Sequence, residues 1–409
     1  MTDRPPGPRT AQGPRLMDKA ASRKRGIVFR VLTVFALVLL GAAYFQPGWW
    51  VSLTAPNYPE ATFPQGIRIL FHMDSVRNGC DIRASQEVEE TEALDCVHEM
   101  DTINHYVGMY PIASGGPVEK AFSPFLFAMI GVMALAFITP GRWPRVAVSL
   151  VGYGAVAAWM TMAVYGEDGV GLHTTGYLKG LVVSLGQDET EDVSDQNLSP
   201  IVRMLKESLA ESAAEETETL AVTDDRAALM ANIKANFEND QAKLAAAERE
   251  AWTGSLMQVF RWHYAKSLAR WFNEPERNDP LVATMTTVAK VLYWAVLAVM
   301  LFATFAALSA GRIFYWVLIL VPMAVPIGFL AEYAGWLWWY GHSLNAMGAF
   351  TLKPFMPTVF GDGKVAQFTT HSYPAIGFGL MVAASALFAL AALIRRKQLK
   401  LAGDAAAAM

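Results

Sequence analysis

Imidazole and thioether groups gather in one short stretch of this chain, Cys96-Val97-His98-Glu99-Met100-Asp101-Thr102-Ile103-Asn104-His105-Tyr106-Val107-Gly108-Met109. Imidazole suits copper and zinc, and thioether selects Cu(I). His105 and Met109 stand four apart, so a helical turn would place them on one face. The plainer alternative is a polar loop histidine beside a buried methionine. A second group lies far along the chain: Tyr340-Gly341-His342, then Met347, Met356 and His371. A mononuclear copper site drawn from both groups would use His105, Met109, His342 and His371, with Met100 and Met356 in reserve. It requires two distant loops to meet.

Three other features bear on chemistry. Cys80 and Cys96 flank an acidic run containing Glu87, Glu89, Glu90 and Glu92. Outside the cytoplasm two cysteines this close pair, and closing such a loop is worth about 3 kcal/mol in the chain-entropy model. A cysteine metal ligand is the alternative. Glu332 falls at the end of an apolar run, where an ionisable residue is a functional candidate or a simple hydrogen-bond acceptor. Pro322 and Pro326 kink the same run and free carbonyls that neighbours or water must satisfy.

Much chemistry is excluded. The sequence has no phosphate-cradling glycine loop, H-E-x-x-H, G-x-S-x-G or kinase signature. Two cysteines rule out a four-cysteine zinc or iron–sulfur site. A net charge of −4 is not the basic balance of a nucleic-acid binder. No general acid–base or nucleophile arrangement is visible, so a non-enzymatic role is expected.

The elements that must position these residues are read from apolar blocks. The 409 residues are 53% hydrophobic and 17% charged, against about 25% charged in ordinary globular domains. Six blocks of spanning length fall at 27–45, 121–139, 146–165, 291–309, 313–333 and 375–394, and each reads as a transmembrane helix. Arg23, Lys24 and Arg25, then Arg142 and Arg145, then Arg312, then Arg395, Arg396 and Lys397 flank these blocks on one side. The positive-inside rule puts that side, and both termini, in the cytoplasm.

The reading is therefore a mainly α, polytopic membrane protein with six transmembrane helices, a small β-containing periplasmic segment and a helical periplasmic insertion. Residues 1–26 form a disordered cytoplasmic tail and 27–45 the first span. Segment 46–120 is periplasmic and carries Cys80 and Cys96; 121–165 holds spans two and three. Segment 166–290 is the periplasmic insertion, 291–333 holds spans four and five, and 334–374 is a periplasmic aromatic and glycine-rich loop. The sixth span is 375–394, and 395–409 a cytoplasmic tail. The expected setting is a bacterial inner membrane, with the lipid bilayer as first partner.

Within the outer segments, Pro47-Gly48-Trp49-Trp50 reads as an aromatic interface anchor, and the alternation around Ile67, Ile69 and Phe71 as a strand. Between 186 and 256 acidic residues outnumber basic ones sixteen to six. Ser199-Pro200 caps a helix striped by Ile201, Met204, Leu205 and Leu209. A second helix starts near Thr223-Asp224-Asp225 and buries Leu229, Ile233, Phe237 and Leu244. A third, 252–272, carries Trp252, Leu256, Phe260, Tyr264, Leu268 and Trp271 between basic residues. That pattern suits a helix on the membrane surface, or one packed on itself or a partner.

The stretches Asn104-His105-Tyr106-Val107-Gly108-Met109 and Tyr340-Gly341-His342-Ser343-Leu344 resemble a family of bacterial membrane proteins encoded beside nitrous oxide reductase accessory genes, copper chaperones among them. Ala55-Pro56-Asn57-Tyr58-Pro59 fits that family's A-P-x-Y-P, and Pro357, Gly361, Phe368, Ser372 and Pro374 fit its later loop. The resemblance covers about 46–145 and 313–394 and omits 166–290. The family often has a further histidine after Y-G-H-N-L, where this chain has Asn345-Ala346-Met347-Gly348. The resemblance implies copper and the periplasm rather than a reaction: an accessory protein for copper handling or maturation of a periplasmic copper enzyme, with a copper chaperone or that enzyme as partner. Two alternatives stand beside it. One is a small-solute transporter subunit using Glu332 and the kinked fifth span. The other is an assembly scaffold that docks a partner through the acidic insertion.

Overall fold

The computed structural model describes residues 13–80, 95–191, 224–308, 313–350, 352–365 and 367–407. The chain is mainly helical. The first helix, α1 (Gly13–Phe45), leads into strands β1 (Trp49–Thr54), β2 (Ile67–Phe71) and β3 (Val76–Asn78). Helix α2 (Cys96–Tyr106) follows, then α3 (Pro117–Ile138), α4 (Arg142–Tyr165) and α5 (Thr175–Glu191). Next come α6 (Arg226–Lys243), α7 (Leu256–Trp271) and α8 (Pro275–Ala307). The last elements are α9 (Ile313–Met323), α10 (Val325–His342), β4 (Gly361–Val365), β5 (Phe368–Pro374) and α11 (Ile376–Ala407).

Five helices are long and apolar enough to cross a membrane: α1, α3, α4, α8 and α11. The pair α9 and α10, bent by 56° at the break between them, is apolar and long enough to make a sixth if it counts as one span. Their outward faces carry Val31, Phe35, Val151, Trp294, Leu301, Ile327 and Leu393, all exposed and suited to lipid. Inside the bundle, α1 packs along α11, and α3 sits among α1, α4, α8 and α9. The core between them is Phe29, Phe122, Phe125, Phe137, Met160, Tyr315 and Phe388.

Arg145, fully buried, ties three helix ends together. Its guanidinium donates to the carbonyls of Ala136, Thr139 and Ala307 and lies over the Tyr315 ring. Late carbonyls of α3 and α8 are helix C-terminal acceptors, where a cation is favourable.

Above the bundle sits a five-stranded antiparallel sheet of order β3-β2-β1-β5-β4. Its central strand β1 alternates Trp49, Val51 and Leu53 into the core against Ile67 and Ile69 of β2. On its other side β1 pairs with β5, Trp49 opposite Pro374 and Ser52 opposite His371. Asp95 caps α2 by accepting from the N–H groups of Val97 and His98. The Cys80–Cys96 disulfide joins the end of the β3 strand to the start of α2. These parts share a second core with Met100, Tyr110, Tyr264, Leu268, Phe272, Leu337 and Tyr340.

Several boundaries differ from the sequence expectation. Residues 13–26 are a helical continuation of α1 rather than disordered, and 395–407 continue α11 as helix; their Arg, Lys, Leu, Met and Ala are good helix formers on an existing nucleus. The fourth span begins at Pro275, where a proline at the first helical turn starts it. The fifth continues to His342, and 361–374 is a hairpin completing the sheet. Trp49 is buried beneath Tyr333 and Phe378. Helix α7 packs its Leu256, Val259, Phe260 and Leu268 inside the protein, not on a membrane surface. In α6, Leu229, Ile233 and Phe237 are buried as expected but Leu244, just past the helix end, is exposed. The acidic run 81–94, the helix expected at 201–209 and Arg312 lie outside the described residues.

Candidate functional site

The two motif stretches do meet. The N–H of Asn345 donates to the Gly108 carbonyl at 2.7 Å, and that of Phe350 to the Tyr106 carbonyl at 3.1 Å. Tyr340 OH donates to the Pro111 carbonyl at 3.0 Å. Gly108 has φ +80°, and a Cβ there would sit 2.5 Å from the Asn345 carbonyl, so both its conformation and its neighbour demand glycine. Gly341 is likewise pressed on a backbone, with the Phe355 N–H donating to its carbonyl and the Phe355 carbonyl where a Cβ would go.

The structure gives each of the expected copper ligands its own surroundings. His105 packs its ring on Trp271 and Phe272, with centroids at 5.5 and 4.9 Å. His342 is exposed, stacks on Trp338 at 4.5 Å and donates from Nδ1 to the Trp338 carbonyl. His371 is on β5, where Nδ1 meets Asp362 Oδ1 at 2.7 Å and Nε2 meets Thr54 Oγ1 at 3.3 Å. Met100 and Met109 are buried in the head core, and Met356 and Met347 are exposed. Among the described residues no three His, Cys, Asp or Glu are arranged to hold a metal ion. Of the other motif residues, Asn104 is buried, Tyr106 is exposed, and Ser372 accepts from Trp49 Nε1 and donates to the Val359 carbonyl.

Ionisable side chains converge elsewhere. A cavity of about 280 Å³ lies between α3 and α10, under the turn after β2. It exists because of the broken span. Helix α9 packs against α3, and the 56° bend then carries α10 away from it. Pro322 and Pro326 prevent a continuous helix there, and Ser385 of α11 donates its hydroxyl to the freed Met323 carbonyl. The walls are apolar: Leu126, Phe127 and Ile130 of α3, Val325, Gly328 and Phe329 of α10, and Met381 of α11.

At the sheet end of this crevice stand Glu119, Lys120 and Glu332. Glu119 accepts from Trp336 Nε1 at 3.3 Å through Oε1, while its Oε2 is buried without a partner. Lys120 donates to the Ala113 carbonyl at 2.7 Å. A methyl placed on Gly116 would lie 3.2 Å from Glu332 Oε1 and 3.8 Å from Glu119 Oε2, so both carboxylates face one small space.

Lys120 also lines a second cavity, of about 80 Å³, with Asp74, Asp101, His263 and Arg270. Burial pushes Asp101 up to about 7, against the opposing hydrogen bonds from the backbone of Ala113 and Ile112. Burial pushes His263 down to about 3, helped by Arg270, Lys120 and Lys266. His173 turns Nε2 to the Ala121 carbonyl, and its Nδ1 accepts from the Thr174 N–H. Burial pushes it down to about 4.

Glu332 was legible in the sequence; Glu119 and Lys120 were missed. The signal was Pro117, which starts α3 and puts both in its first turn. Comparisons with protein-family models, curated proteins and solved structures give no match for this chain.

Proposed function

We propose that this chain is a substrate-binding subunit of a membrane carrier and that the crevice between α3 and α10 holds its solute. One observation carries the reading: Glu119, Lys120 and Glu332 gather at one end of an otherwise apolar cavity beside a broken span. Ionisable groups at this depth are costly and mark solute pathways, and broken helices recur at the binding sites of carriers. We place the protein in a bacterial inner membrane, with both termini cytoplasmic and the sheet in the periplasm, from the basic residues that flank the spans.

Uptake of radiolabelled methylamine and acetate into proteoliposomes tests the reading. The expected result is uptake of one probe that falls at least about tenfold in Glu332→Gln, the loss that removing one charge-assisted contact predicts. Equal uptake by wild type, Glu332→Gln and empty liposomes would sink it.

The docking of the two motif stretches favours a second reading, a role in maturing a copper enzyme. There, purified wild type retains copper and the pair His105→Ala with His342→Ala does not. Equal copper in both removes that role for these rings.

A further inference from the structure

We propose that the crevice is a binding site for a single membrane lipid with a zwitterionic aminophosphate head group, which enters sideways from the bilayer. This rests on the crevice being the ligand site and names what it takes.

The apolar body of the ligand is argued from depth and opening. The lining runs along α3 from Gly116 to Ile130, about 21 Å at the helical rise. One leaflet of a bilayer is about 15 Å of hydrocarbon. A water-soluble solute needs no such length, whereas an acyl chain does. The groove is open on its flank. Gly328 is exposed, and a Cβ there would meet nothing within 4 Å. Leu126 and Phe127 across from it are only half-buried.

The head group is argued from charge. Glu119 Oε2 is a buried acceptor lacking a donor, and Glu332 faces the same space. Beside them the Lys120 ammonium uses one hydrogen bond on the Ala113 carbonyl and has two further N–H groups. A primary ammonium would satisfy the carboxylates, and a phosphate one bond-length series away would meet Lys120. A choline head cannot donate a hydrogen bond, and a glycerol phosphate head brings no cation to the carboxylates.

The test is native mass spectrometry of the full chain released from nanodiscs of equimolar phosphatidylethanolamine, phosphatidylcholine and phosphatidylglycerol. The expected result is one retained lipid, enriched about tenfold in phosphatidylethanolamine, the ratio one charge-assisted hydrogen bond supplies. That preference disappears in Glu119→Gln with Glu332→Gln. Gly328→Trp, which fills the groove away from the charges, lowers total lipid retention and guards against misfolding of the first variant. Equal retention of the three lipids, unchanged enrichment in Glu119→Gln with Glu332→Gln, or unchanged total retention in Gly328→Trp overturns the proposal. Displacement by soluble phosphoethanolamine with no retained lipid also overturns it. If methylamine uptake still depends on Glu332 in those cases, the carrier reading survives without the lipid; if uptake is also indifferent to Glu332, both fall.

Discussion

At the scale of single residues, the buried titratable groups of the head fix its response to pH. The fold raises the affinity of Asp101 for a proton. Its contribution to stability is complete below about pH 4 and is lost as pH climbs through 7, by at most about 4 kcal/mol. Asp101→Asn is therefore expected to unfold at a higher temperature than wild type at pH 8 and at the same temperature near pH 4. His173 has the opposite sign. Its folded state disfavours the proton, so its contribution is present above pH 6.5 and is lost toward pH 4, by about 3 kcal/mol. His173→Gln should flatten the acid limb of the thermal unfolding profile; an acid limb as steep as that of wild type would show that another group dominates it.

At the scale of elements, one contact decides how the motif stretches sit. Gly108→Ala forces a side chain into a left-handed backbone against the Asn345 carbonyl, an expected loss of about 1–3 kcal/mol. Denaturant titration in detergent measures it, and a loss within error would mean that the α2–α10 junction yields easily. Arg145→Ala leaves carbonyls of α3 and α8 without their donor, and we expect a loss of about 3 kcal/mol or more in the same titration. Much of this layer was legible. Apolar block length gave the spans, Pro322 and Pro326 gave the break, and the stripe Leu229, Ile233, Phe237 gave α6. The rest turned on tertiary contacts. Arg145 looks like any charge flanking a span until the carbonyls it reaches are known. Nothing local in 334–374 distinguishes a loop from a hairpin whose partner strand, β1, lies at the other end of the chain. The surroundings of His105 were illegible for a related reason: residue types and four-residue spacing place it on a face, but Trp271 and Phe272, from α7 and just beyond it, decide what that ring touches.

At the scale of the whole molecule, there are two cores, one in the bundle and one in the head, and α7, α8 and α10 contribute to both. The disulfide braces only the upper core, so Cys80→Ser with Cys96→Ser should lower head stability by about 3 kcal/mol and leave the spanning helices folded. Proteolysis of membrane-inserted protein separates the two: faster cleavage of the head with an intact bundle is expected, and collapse of both together would show that they unfold as one unit. Meanwhile the sheet binds the beginning of the chain to its end. Trp49 on β1 reaches Ser372 on β5, 323 residues later. While the ribosome is still at work, β1 can zip only to β2, and its other flank stays bare through the insertion of almost every helix. The last hairpin to emerge is thus a latch. Closing so wide a chain loop is slow by nature, and until it closes the newborn protein is a set of inserted helices awaiting their cap.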